Sequence, residues 1–210
     1  MTKEEIETII IKNYRAEFEN YNYALCQNPN YNANILFVGI NPSSGEEIDG
    51  KIYEYQLNYE RPNHQYFNRF VEVANYCDCR NDWAHIDLFF FRGKQKEFYE
   101  ILKKDTGKNF LQEQLKKTIE DFQTKFKPKI IVVCNSLSRD ILLDNSHDLL
   151  EDGALIKKES FVENICAYSW RNIPVLFSGM LSGQRALDLG SLERLKWHIK
   201  MILEGYEMKK

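Results

Sequence analysis

With 210 residues, the chain has room for one α/β domain with a sizeable core and is short for two. Its 28 Lys plus Arg against 31 Asp plus Glu leave it slightly acidic, which argues against broad contact with phosphate backbones and leaves room for a local basic rim. The five cysteines have no disulfide-scaffold spacing, no apolar run approaches the ~20 residues of a membrane span, and no secretory leader pattern opens the chain, so a reducing cytoplasm is the expected home.

Thr2 and Glu5 stand at capping-box spacing. Ile6, Ile10, Tyr14, Phe18 and Tyr21 then recur at helical intervals and predict one long amphipathic helix that fades near Gln27. Residues 1–28 therefore read as a helical extension packed on a single domain. Ile35 to Gly39 is a short apolar run closed by Gly and Asn-Pro, as expected of a strand buried on both faces. A polar, aromatic-rich loop from Asn41 to about Asn63 follows, and loops of that length in compact domains are often functional.

Tyr66, Phe67, Phe70, Val71 and Ala74 predict a helix, and Ala84 to Phe91 a second strand. Leu111, Leu115, Ile119, Phe122 and Phe126 mark a strong helix ended by Lys127-Pro128. Ile130 to Cys134 is a third strand, with Asn135 or Ser136 capping a short helix through Leu143. Phe161 to Tyr168 predicts an additional strand and Ile173 to Phe177 the next. Ser191 is the expected N-cap of a last helix that Gly205 terminates. Alternating strands and helices predict an α/β fold, a three-layer α/β/α sandwich around a central, mainly parallel four-stranded sheet.

In an open parallel sheet, sites form outside the carboxyl ends of the strands. Four segments fall there: Gly39 to Gly45, Asp87 to Gln95, Asn135 to Arg139 and Phe177 to Arg185. Gly39 permits close approach of the backbone, Pro42 stiffens the exit, and Asn41 carries both a donor and an acceptor. The first segment is not a phosphate-binding P-loop, because no Gly-Lys-Ser/Thr follows at the required spacing. Among the cysteines, Cys134 and Cys166 read as buried thiols. Cys77 and Cys79 form one close pair with no second pair to complete a zinc site.

Gly39-Ile40-Asn41-Pro42 resembles motif 1 of the uracil-DNA glycosylase superfamily, and most closely its mismatch-specific uracil/thymine branch. Asn68-Arg69-Phe70, Lys127-Pro128 with Ile130 to Cys134, and Pro174 to Phe177 with Leu181-Ser182 and Ser191 to Leu195 resemble later segments of that branch, in the same order. The correspondence spans roughly residues 30 to 205. It implies a cofactor-free, metal-free enzyme, a monomer that flips a damaged base out of DNA and hydrolyses its N-glycosidic bond. Asn41 falls where the branch positions the attacking water; an amide is no general base, so its part would be alignment.

Gly39, Ile40, Pro42, Ser43 and Asp87 then belong to the base pocket, with Tyr66 and Phe67 as candidates for its aromatic platform; their other reading is helix packing. Arg92 and Lys94 are candidate phosphate contacts, and Ser178, Gly179, Leu181, Ser182 and Arg185 of the motif 2 loop are candidate DNA contacts, with Arg185 on a phosphate and Leu181 as a wedge into the base stack. The departure lies at motif 2, where Phe177 stands about where active families place a polar residue. The alternative reading is a repurposed member of the superfamily that binds a nucleobase, nucleotide or nucleic acid without turnover.

Overall fold

A computed structural model describes residues 2–18, 21–42, 52–183 and 185–205. The N-terminal region holds two short helices, α1 (Lys3–Asn13) and α2 (Arg15–Phe18), and then a strand, β1 (Tyr23–Cys26). The long helix read from periodicity is thus broken near Tyr14, and its last turn is extended chain. The capping box at the start forms: the Glu5 amide donates to Thr2 Oγ1 at 3.2 Å and the Thr2 amide donates to Glu5 Oε2 at 2.7 Å.

The central sheet contains β2 (Ile35–Gly39), β4 (Trp83–Asp87), β5 (Ile130–Val133), β6 (Phe161–Val162), β7 (Ala167–Trp170) and β8 (Ile173–Phe177), in the order β4-β2-β5-β8-β7-β6. The four strands β4, β2, β5 and β8 run parallel, and β7 and β6 add antiparallel neighbours at one side. The sheet is therefore mixed and six-stranded, wider than the four strands expected. The run read as one strand from Phe161 to Tyr168 splits in two because Cys166 takes a left-handed conformation (φ 49°). Cys166 is exposed there, not buried as its apolar surroundings suggested.

Side-chain alternation along each strand sorts the core into two layers. Leu36, Val38, Ile131, Val133 and Val175 face α5 (Asp105–Thr124) and α6 (Ser136–Asp144). Ile35, Phe37, Trp83, Val132 and Leu176 face α3 (Asn68–Tyr76) and α7 (Leu189–Leu203). The remaining helix, α4 (Gln95–Leu102), buries Phe98 and Ile101 in the first layer. Helices thus cover both faces, as a parallel sheet with two apolar faces requires. Asp188, rather than Ser191, caps α7; its carboxylate accepts from the Ser191 amide at 3.0 Å.

A second, two-stranded sheet lies over the carboxyl end of the first. It pairs β1 with β3 (Ile52–Tyr55), a strand inside the segment read as an irregular loop. The apolar run after β4 does not continue that strand. Instead it passes under β1, where the Ala24 amide donates to the Phe90 carbonyl at 2.9 Å and the Arg92 amide to the Asn22 carbonyl at 2.7 Å. Among the described residues, no helix is long and apolar enough to cross a membrane.

Candidate functional site

A cavity of about 500 Å³ opens at the carboxyl ends of β2, β4 and β5. Gly39, Ile40, Asn41 and Pro42 line it from the end of β2, Asp87 and His85 from β4, and Cys134 and Asn135 from the end of β5. Tyr53 to Leu57 roof it from the small sheet, and His64, Tyr66 and Phe67 close it from the turn before α3. Ser43 lies outside the described residues.

Pairing explains how the floor is built. In the β2–β4 register Gly39 stands opposite Asp87 and Phe37 opposite His85, so all four positions belong to the α3 face of the sheet. A Cβ on Gly39 would lie 2.1 Å from Asp87 Oδ1 and 3.2 Å from His85 Nε2. The glycine is therefore required for space, and its missing side chain is where the Asp87 carboxyl fits.

Asp87 is half-buried, and no described residue hydrogen-bonds its carboxyl. Burial raises its pKa from 3.8 to about 7, so near neutrality it exists in both forms. Neutral, it offers one donor and one acceptor; ionised, it only accepts. The Tyr66 hydroxyl and the Tyr55 hydroxyl beside it are pushed far up, first by burial and then by the Asp87 charge. The Cys134 thiol is likewise raised, chiefly by burial, and stays protonated.

Asn41 is held by its amide nitrogen, which donates to the Gly93 carbonyl at 2.8 Å and lies 3.2 Å and 3.4 Å from those of Pro42 and Phe91. These contacts orient the side chain and leave Oδ1 as the acceptor without a described partner. Asn135 is arranged the opposite way. Its Oδ1 caps α6, accepting from the Leu137 amide at 2.8 Å and the Ser138 amide at 3.4 Å, so its amide hydrogens remain for the cavity.

The aromatic wall is real, but it has two duties. Tyr66 and Phe67 both line the cavity and also pack edge-on against His85, with centroids at 5.8 Å and 5.3 Å. Arg92 reaches the mouth and lies over the Tyr53 ring, 5.5 Å from its centroid. No protein-family model and no curated protein matches this chain. The site is read from its own geometry.

The motif 2 loop contributes less than the resemblance implied. Phe177 turns to the other layer, where its ring meets Tyr168 at 5.3 Å, and among the described residues of the loop only Met180 lines the cavity. Leu181 is 1% exposed and packed in the α3–α7 core, so the wedge reading fails: the side chain presents nothing to a duplex. Ser178 is half-buried, with its amide on the Val133 carbonyl at 2.8 Å. Ser182 donates through its hydroxyl to the Tyr66 carbonyl and fixes the wall instead of facing out. Gly179, Arg185 and Lys94 are exposed, outside the cavity lining.

Sequence reasoning missed His85, Tyr55 and Asn135 as cavity groups. A histidine inside an apolar strand reads as core, and Tyr55 belongs to a strand that the loop composition concealed. Asn135 carried a usable signal: it lies at a strand's carboxyl end and also caps a helix, which fixes which half of its amide is free. Cys77 and Cys79 are buried free thiols, and the described residues contain no cluster of three or more metal-ligating side chains.

Proposed function

We propose that the cavity takes up a nucleobase-type ring and that the chain hydrolyses the N-glycosidic bond to it in DNA, in the manner of the uracil-DNA glycosylases it resembles. One observation carries this reading: Asn41, Asp87 and the aromatic pair Tyr66 and Phe67 converge on one cavity at the sheet's carboxyl end. The four parallel strands within the wider sheet accord with the same resemblance.

Each group has a definite part. Asn41, tethered through its amide nitrogen, accepts from a water at Oδ1 and aligns it on the anomeric carbon. Asp87 in its neutral form pairs with a lactam edge, donating to the base carbonyl and accepting from the adjacent N–H, as an asparagine amide would. Asn135 supplies donor hydrogens toward the charge that develops on the leaving base, a contribution Phe177 is unable to make. Arg92 at the mouth meets the phosphate backbone, which suits a chain with no overall basic charge.

Because neutral Asp87 is the working form, hydrolysis falls as pH rises through about 7. The test is a uracil-containing oligonucleotide, single- and double-stranded, treated with wild type and Asn41→Ala and then with alkali. Wild type yields strand cleavage at the uracil, and the variant loses it by about 100-fold, the scale of a misplaced nucleophile. No alkali-labile product on either substrate refutes hydrolysis.

A second reading, binding without turnover, is favoured by the position of Phe177, because the described residues of the motif 2 loop place no polar side chain in the cavity. Thermal stabilisation by free uracil without base release supports it over the first.

A further inference from the structure

The cavity floor holds a group that the proposed reaction leaves without a role. His85 is 3% exposed, and both of its ring nitrogens lack a hydrogen-bond partner among the described residues. An orphaned buried polar atom is costly, and native cores seldom carry two on one ring. Tyr66, Phe67 and Phe70 meet the imidazole edge-on at 5.8, 5.3 and 5.2 Å. Burial pushes its pKa down to about 3, so the ring is neutral, with one N–H and one bare nitrogen.

The next side chain on that face of β4 is Asp87. The two residues are two apart on β4 and share one face of the strand. Nε2 and Oδ1 both close on the same point beside Gly39, and the Asp87 carboxyl has no described partner either. Other titratable groups face that carboxyl: Tyr55 from β3, Tyr66 from the turn before α3 and Cys134 from the end of β5, while His64 and Arg92 line the same cavity. His85 differs from them in being buried in the core with both polar atoms unspent.

We infer that His85 is the positioning residue of this site: its neutral imidazole donates a hydrogen bond to the Asp87 carboxyl and turns it toward the cavity. A neutral donor orients the carboxyl without adding a counter-charge, so Asp87 still gains and loses its proton near neutrality. The two groups are not bonded in the structure, so the pairing closes by a rotation of the Asp87 carboxyl; it belongs to the free protein and rests on the glycosylase reading only for the identity of what Asp87 then meets.

The experiment follows the Asp87 carboxyl by carbon-13 NMR through a pH titration and measures free-uracil affinity, in wild type, His85→Leu and His85→Gln. Loss of the donor in His85→Leu raises the Asp87 midpoint, lowering its acid constant about tenfold, and weakens uracil binding about tenfold. His85→Gln, which keeps an N–H, stays within about threefold of wild type in both. A midpoint and affinity in His85→Leu equal to wild type overturn the inference. Should His85→Leu not fold, the wild-type imidazole nitrogen signals decide: they move as Asp87 ionises, and constancy through that range overturns the pairing. If uracil binds none of the proteins while the midpoint still responds to His85→Leu, the pair stands and the glycosylase reading is what fails.

Discussion

A half-buried acid, Asp87, and a buried base, His85, share one face of β4, and the pH dependence of stability should expose them. Asp87 titrates near 7 in the fold against 3.8 free, so its stabilising contribution is complete below about pH 3.8 and is lost as pH rises toward 7. His85 runs the other way. Its folded pKa near 3 lies below the free value of 6.5, so its contribution is complete above 6.5 and is lost as pH falls toward 3. Between about pH 4.5 and 6, each contributes a slope of about 1.4 kcal/mol per pH unit, with opposite signs, and in wild type the two cancel. Asp87→Asn removes one slope, so its stability relative to wild type climbs by about 2 kcal/mol across that window. His85→Leu removes the other, and its relative stability declines by about the same amount. Hydration through the cavity mouth narrows the Asp87 window from the top without changing its sign. Urea denaturation of the three proteins at three pH values across the window measures both slopes, and subtraction of wild type removes every other titrating group. Two flat differences would refute the claim that these side chains are buried uncharged.

Gly39→Ala should cost about 1–3 kcal/mol of stability and abolish uracil binding, because the new methyl lies 2.1 Å from the Asp87 oxygen and drives the carboxyl aside. Retention of wild-type affinity in a calorimetric titration would show that Asp87 does not hold the ligand. Leu181→Ala should lower unfolding free energy by about 2–5 kcal/mol, as a cavity in the α3–α7 core requires. Unchanged stability with weakened DNA binding would restore the wedge role that its burial denies.

How much of this was legible beforehand depended on whether the signal was local. The buried strands β2, β5 and β8 stand out in the sequence because strands covered on both faces are continuous apolar runs. The same rule overran after Asp87, where Leu88 to Phe91 is equally apolar but buried beneath β1 instead of paired in the main sheet. β1 itself was hidden: Tyr23 to Cys26 has no period of two, and it becomes a strand by pairing with β3, a segment well beyond it in the chain. The N-cap of α7 was misjudged because Asp188 and Ser191 are both good caps, and only their mutual hydrogen bonds show which accepts.

For the site, the sheet-end rule pointed to loops that line the cavity, and Asn41, Asp87, Tyr66 and Phe67 line it together. What no local pattern contains is register. Only the pairing of Gly39 with Asp87 and of Phe37 with His85 reveals that a glycine makes room for a carboxyl and that a histidine lies next to both.

Asn41 carries one further consequence. Its amide nitrogen reaches the carbonyls on either side of Arg92, those of Phe91 and Gly93, so the segments that follow β2 and β4 are fastened together at their bases. Anything that pulls on Arg92 from outside, as a phosphate at the mouth would, pulls on Asn41 as well. If Asn41 aligns a water as proposed, the same amide group is also the linkage through which the rim feels an occupant.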